Sequence, residues 1–176
     1  MKNTRQVAAL PFRRSKSGGL EVLLVTSRET QRWVIPKGWP WPQLADHLAA
    51  AEEAREEAGV RGTAMAEPIG TFGYDKRIKN GSKPLLVDVF LLEVTQQLDK
   101  WPERKQRTRT WFKPEAAAEA VAEPELKALL LGLDATLAGR LRTVARLATP
   151  AARSRSQPAA KARAGRPALR KVTSGR

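Results

Sequence analysis

Three glutamates, Glu53, Glu56 and Glu57, fall within one turn of a segment with helical character, Gln43 through Val60. At roughly 100° per residue they gather on one side, while Leu48, Ala51, Ala54 and Ala58 gather on the opposite side. Like charges at this spacing repel by about 0.2–0.5 kcal/mol per pair, and no Lys or Arg is centred among them. A Glu-rich helix face is ordinarily just solvated. A hard divalent cation such as Mg²⁺ would also neutralise it, because such ions take oxygen ligands and commonly bridge carboxylates to substrate phosphates. The spacing alone leaves both readings open.

Positioning these acids falls to the elements around them. Asp46 is the expected N-cap and Gly59 the residue past the C-terminal end, giving a helix of about twelve residues. Before it, Trp33-Val34-Ile35-Pro36-Lys37-Gly38-Trp39-Pro40-Trp41-Pro42 is kept extended or turning by three prolines and a glycine. Gln6–Phe12 and Leu20–Thr26 read as strands joined by a Gly-containing loop, and Ile69–Lys79 and Pro84–Thr95 as a hairpin through Asn80-Gly81. Trp111-Phe112 reads as a further short strand. Pro114 opens a helix through Ala122, and Pro124 opens a longer one. That last segment sets Leu126, Leu130, Leu133, Leu137, Leu141, Val144 and Ala148 on one face, with Gly132 and Gly139 as weak points of about 1 kcal/mol each. Strands, one helix, more strands and C-terminal helices imply an α+β domain rather than an alternating α/β fold.

The stretch from Gly38 to Val60 resembles the Nudix box, Gly-x5-Glu-x7-Arg-Glu-aliphatic-x-Glu-Glu-x-Gly-aliphatic. Gly38, Glu53, Glu56, Glu57, Gly59 and Val60 match, and Ala54 is a weak match. Leu44 stands where the first Glu is expected and Glu52 where the Arg is expected. These two departures touch the charged frame of the helix, and Arg55, three residues after Glu52, is the candidate to compensate. Gly18-Gly19-Leu20-Glu21-Val22-Leu23-Leu24-Val25, Arg32 to Gly38, Trp101-Pro102-Glu103 and Arg109-Thr110-Trp111-Phe112 are similar to the diphosphoinositol polyphosphate phosphohydrolase branch. The resemblance implies the Nudix fold, a mixed β-sheet sandwiched between α-helices. It also implies an enzyme, a hydrolase of diphosphate linkages that uses Mg²⁺ or Mn²⁺.

Carried onto this sequence, the resemblance makes Glu53, Glu57 and the Gly38 carbonyl the metal ligands, and Glu56 the catalytic base for an attacking water. Substrate contacts then fall to Arg32, Lys37, Arg13, Arg28 and Lys76, each of which taken singly is an ordinary surface charge. The implied substrate is a polyphosphorylated small molecule, with inositol pyrophosphates or dinucleoside polyphosphates foremost. An RNA 5′-end pyrophosphohydrolase is the alternative within the enzyme class. A catalytically weak Nudix-like module that binds nucleotide or nucleic acid is the alternative outside it, motivated by Leu44 and Glu52.

Composition bounds the rest. The 176 residues hold one His and no Cys, which excludes a disulfide framework, a thiolate zinc site and a Cys nucleophile. The net charge is +14, but eleven basic residues and no acid lie between Arg140 and Arg176, leaving 21 basic and 18 acidic residues in 1–139. The expected organisation is a Nudix domain with its C-terminal helix over 1–148, followed by an Ala/Arg/Lys/Pro-rich disordered tail over 149–176. That tail lacks the aromatics of a dedicated nucleic-acid module and suits unspecific contact with polyanions. No long apolar run or leader-like segment is visible, so the expectation is a cytoplasmic protein without a membrane segment.

Overall fold

The computed structural model describes residues 4–148. Eight strands form one mixed sheet: β1 (Arg5–Arg14), β2 (Leu20–Thr26), β3 (Trp33–Val34), β4 (Lys37–Gly38), β5 (Val60–Ala64), β6 (Gly70–Ile78), β7 (Gly81–Gln97) and β8 (Arg109–Phe112). The path is β3-β2-β1-β7-β5, with β4 on β1, β6 on β7 and β8 on β2. Only β1 and β7 run parallel, from Arg5 opposite Leu86 to Phe12 opposite Glu93; the other ladders are antiparallel.

The central strands are buried on both faces, so their side chains divide by parity. Val7 and Ala9, Leu23 and Val25, and Phe90 and Leu92 point to one face. Ala8, Leu10 and Phe12, Val22 and Leu24, and Val87, Val89 and Leu91 point to the other. The first face is covered by α1 (Asp46–Glu53), which runs into a π-helical turn, Ala54–Ala58. The second is covered by α2 (Pro114–Ala120), α3 (Pro124–Leu131) and part of α4 (Leu133–Ala148), through Leu126, Leu130, Leu133 and Leu137. Helices on both sides of a mixed sheet are the α+β sandwich expected from the sequence.

Several local expectations change. The helix over 124–148 breaks at Gly132, the expected weak point, and runs unbroken through Gly139. The side chains of Leu141, Val144 and Ala148 and the segment 149–176 lie outside the described residues. The β6–β7 turn centres on Lys79-Asn80, with Ile78 opposite Gly81 and Gly81 at φ 124°, so the glycine closes the turn rather than forming its middle. Strands β3, β4 and β5 carry too few residues or too weak an alternation to stand out in the sequence, and tertiary pairing makes them strands. Among the described residues, no helix is long and apolar enough to cross a membrane.

Candidate active site

The acid-bearing helix begins differently from the sequence expectation. Ala45 occupies the extended N-cap position, and Asp46 is the first helical residue, bound to the Arg5 guanidinium at 2.7 Å. Its rotation also differs. Ala49, Ala50, Ala54 and Ala58 are buried against the sheet, whereas Leu48 is 44% exposed. Small side chains let the backbone lie close to β1, β2 and β7, and a helix seated on Ala50, Ala54 and Ala58 turns Glu53 and Glu57 inward along the edge of the same face. Glu57 is 8% exposed. The acids therefore do not form a solvated patch opposite the apolar side.

Gly59 ends the helix in the left-handed conformation, φ 63° and ψ 41°, where a side chain would be strained. The carbonyls around this end are all engaged by one segment, the connection between β7 and β8. The Glu103 N–H donates to the Glu56 carbonyl at 3.1 Å, and the Leu98 N–H to that of Gly59 at 2.8 Å. The Trp101 indole N–H donates to the Glu57 carbonyl at 3.2 Å. Arg109 donates to the Ala58, Gly59 and Leu98 carbonyls at 2.8, 3.0 and 2.8 Å, and its guanidinium lies 3.9 Å from the Trp101 ring centre. Trp101 and Arg109 thus fix the helix end that carries Glu56 and Glu57.

The same connection supplies the counter-charge that the helix lacks. Arg107 donates to Glu57 and to Glu103, and through Nη1 to the Thr26 carbonyl at 2.9 Å. The other oxygen of Glu57 accepts the Lys37 backbone N–H at 3.1 Å. The Glu53 carboxylate lies against Gly38, in space that any Cβ there would fill, which accounts for glycine at that position. Burial, with Glu57, Glu56 and Glu103 nearby, pushes the Glu53 carboxyl up to about 7. Burial also raises Glu57, against the pull of Arg107 and Lys37. Glu56 accepts from Arg55 at 2.9 Å, and Arg55 also holds Glu52 at 2.6 Å. Arg55, the candidate to compensate for Leu44 and Glu52, reaches Glu52 and Glu56 but not Glu53 or Glu57. Leu44 instead packs against the alanine layer.

Beside Glu57 opens a cleft of about 510 Å³ whose lining includes Arg28, Arg32, Lys37, Lys76, Arg77 and Arg107, with acids Glu29, Asp75 and Glu123. Four of the five expected substrate-contacting cations are there. Arg13 is not: it pairs with Glu21 at 2.8 Å and lies 4.0 Å over the Trp111 ring. Glu53 and Glu56 are not among the cleft-lining residues; Glu57 is the acid that joins helix and cleft. Burial lowers Lys37, partly offset by Glu57, and its ammonium sits 5.3 Å from the Tyr74 ring centre. Tyr74, raised to about 12 by burial, donates to Gln6 at 2.6 Å. Lys76 lies 5.1 Å from the Trp39 ring centre, and Trp41 is 43% exposed.

Residues 2–131 match the NUDIX domain family, and Gly38, Glu53, Glu57 and Gly59 are the positions whose geometry has just been described. The chain belongs to the Nudix family. It is 38% identical over 105 residues to the Arabidopsis thaliana protein "Nudix hydrolase 12, mitochondrial", covering 57% of this chain and 51% of that one. It is 35% identical over 120 residues to "Diphosphoinositol polyphosphate phosphohydrolase 3-alpha" of Mus musculus, covering 66% and 68%. The chain therefore spans about half the length of the first relative and two thirds of the second. A Caenorhabditis elegans Ap4A hydrolase in a binary complex shares the fold, with TM-score 0.58, 23% identity, and coverage of 77% of this chain and 98% of that one. The NUDIX domain of Shewanella oneidensis NrtR complexed with ADP ribose does so with TM-score 0.58, 15% identity, and coverage of 78% and 90%.

For this Nudix chain, the donor set suits a hard divalent cation. Its oxygens are carboxylates, and Glu53, raised first by burial and then by Glu57, Glu56 and Glu103, stands among like charges that a cation would offset. Among the described residues, no three acids already surround a common point, and Arg107 holds one oxygen of Glu57. A cation at Glu57 would compete with Arg107. The roles of Arg107, Glu103 and Glu123 escaped sequence reasoning; the available signal for Arg107 was the run of five cations, Lys100, Arg104, Lys105, Arg107 and Arg109, in one segment.

Proposed function

We propose that the protein hydrolyses a diphosphate linkage in a polyphosphorylated small molecule, with inositol pyrophosphates or dinucleoside polyphosphates as the foremost substrates and Mg²⁺ or Mn²⁺ as cofactor. The observation that carries this reading is the junction at Glu57, where a carboxylate suited to a metal ion meets a cleft lined by six cationic side chains. Names among the relatives and structural neighbours, a diphosphoinositol polyphosphate phosphohydrolase and an Ap4A hydrolase, support the substrate class.

Glu53, Glu57 and the Gly38 carbonyl would hold the cation. When bound, it supplies charge neutralisation at the phosphoryl oxygens and lowers the pKa of water. Arg28, Arg32, Lys37 and Lys76 hold the remaining phosphates in place. Glu56 accepts the proton of the attacking water once Arg55 releases it. The Trp101 and Arg109 contacts keep Glu56 and Glu57 at fixed positions relative to the cleft, so binding energy is not lost to reorientation of the helix end.

The test is an assay with Mg²⁺ against inositol pyrophosphate, dinucleoside polyphosphate, nucleoside diphosphate sugar and triphosphate-ended RNA, with products identified by mass. Cleavage of a diphosphate in either of the first two is expected. Glu56→Gln should lower turnover roughly 10²–10⁴-fold with an unchanged melting profile. Near-normal turnover would remove Glu56 from the base role, and no cleavage of any substrate would sink the hydrolase reading. A binding module without turnover is the second reading, favoured by the pairing of Glu56 with Arg55 and of Glu57 with Arg107. Calorimetry that detects no Mg²⁺ or Mn²⁺ binding at millimolar concentration would select it.

A further inference from the structure

The five tryptophans divide by what they touch. Trp33 meets Phe112 edge-on, with 5.1 Å between ring centres. Trp101 donates to the Glu57 carbonyl under the Arg109 guanidinium, and Trp111 donates to Gln97 at 2.9 Å beneath Arg13. These three are half-buried. Trp39 and Trp41, on the loop that leads into the acid helix, are 38% and 43% exposed. A single exposed aromatic is ordinary by itself. The position of Trp39 is not.

Trp39 directly follows Gly38, which pairs with Val7 of β1 and whose carbonyl is the proposed metal ligand. It precedes Pro40, which restricts its backbone to extended conformations, so the ring leaves the sheet from a short, stiff segment. The Lys76 ammonium lies over that ring, 5.1 Å from its centre. Lys76 also lines the cationic cleft, whereas Trp39 does not. The ring therefore stands just outside the phosphate cleft, one lysine away from it and next to the backbone that would hold the cation.

The face of an indole is electron-rich, so it attracts cations and flat uncharged rings and disfavours anions. A nucleobase is flat, uncharged and tethered to its phosphates through a sugar. It can reach a platform beside the cleft while the phosphates stay within. A cyclitol studded with phosphates occupies the cleft alone and leaves the ring unused. Phosphates in the cleft offer Lys76 a stronger partner than the indole does, and its movement toward them clears the ring face.

We infer that Trp39 is a stacking platform for a nucleobase at the mouth of the cleft, a specificity-determining residue that favours base-capped over base-free polyphosphates of equal charge. This rests on the cleft of the proposed function and concerns which capping group is recognised there.

Calorimetry on the full chain with Mg²⁺ compares two non-hydrolysable ligands: a methylene-bridged polyphosphate capped at both ends with adenosine, and the same chain capped with ribose alone. The unmodified protein should bind the adenosine-capped chain roughly 10- to 100-fold more tightly, as for one base stacked on one aromatic side chain. Trp39→Leu should bring that ratio close to one with an unchanged melting profile, Trp39→Phe should keep part of it, and Trp41→Leu should leave it intact. Equal binding of the two ligands by the unmodified protein overturns the inference, as does a ratio that survives Trp39→Leu or is abolished by Trp41→Leu. Where Trp39→Leu does not fold, fluorescence decides. The adenosine-capped chain should quench the emission that Trp39 contributes, read as the difference between the unmodified protein and Trp39→Phe; absence of that quenching overturns the inference. Base-dependent binding by a protein that cleaves no diphosphate would leave Trp39 in this role while ending the hydrolase reading. Cleavage without any preference for the base would do the reverse, so the two failures are distinguishable.

Discussion

The two faces of the sheet are covered by different chemistry. On one, α3 and α4 bury large side chains, with Leu126, Leu130 and Leu133 essentially inaccessible, and α2 adds Ala117 and Ala118. On the other, α1 and its π-helical turn bury alanines and Glu57, and their C-terminal end is held by hydrogen bonds from Glu103, Trp101 and Arg109 and by the Arg107 ion pairs. The leucine layer is stabilised mainly by area removed from water, about 25 cal/mol per Å². The alanine layer buries less and admits two partly desolvated carboxylates. Chemistry is placed on the face with the smaller hydrophobic contribution, and directional contacts compensate there.

Breaking the leucine side should give the largest effect on stability. Leu130→Ala should lower the unfolding free energy by about 2–5 kcal/mol in a denaturant titration, by lost transfer energy and the cavity left behind. Turnover per folded molecule should be unchanged; a large loss would mean that the layers are not separable.

Breaking the polar side should give a smaller effect that depends on the medium. Arg107→Ala leaves Glu57 without its ion-pair partner and Glu103 with Arg28 at 3.6 Å, at a cost of about 3 kcal/mol in chelator. Millimolar Mg²⁺ should narrow the gap from the unmodified protein, because metal and Arg107 then compete for Glu57. A gap that is the same with and without Mg²⁺ would refute that competition.

Glu53→Gln should act in the opposite direction and most weakly. With its carboxyl raised to about 7, the folded protein holds this proton where the unfolded chain has released it. Stability of the metal-free protein therefore falls as pH rises from about 4.5 through about 7. Glutamine removes that loss, so at pH 8 the variant should be more stable by about 1 kcal/mol, after allowance for solvent screening of a partly exposed group. The difference should vanish at acid pH, where Glu53 is protonated in both states. Thermal melting across that range, with chelator present, is the measurement.

Much of the site was legible before any fold was known. The spacing of Glu53, Glu56, Glu57 and Gly59 located the helix that carries the acids, because those positions obey local rules of helix period and left-handed termination, while Gly38 entered through the resemblance to the Nudix box. Arg28, Arg32, Lys37 and Lys76 were identified, and the structure gathers them at one cleft. Arg13 was not separable from them, since no local rule shows that Glu21 and Trp111 would take it. The long β1, β2, β6 and β7 were readable from apolar runs. The two-residue β3 and β4 were not, because their pairing depends on partners distant in the chain.

The sequence by itself determined the long strands and the helical segments, the acid triplet and the concentration of basic charge toward the C-terminus, and it narrowed the helix break to Gly132 or Gly139. Each follows from neighbours within a few residues or from composition. Tertiary structure alone decided which way the acid helix faces, because helical period permits both Ala51 with Leu48 and Ala50 with Ala49 as partners of the Ala54 and Ala58 stripe. Close packing on the sheet selects the smaller pair. It also decided that Arg107, fifty residues away, neutralises Glu57, and that Glu123 stands in a wall of cations paired with Arg32. Ion pairs depend on through-space distance and burial, which residue spacing does not encode.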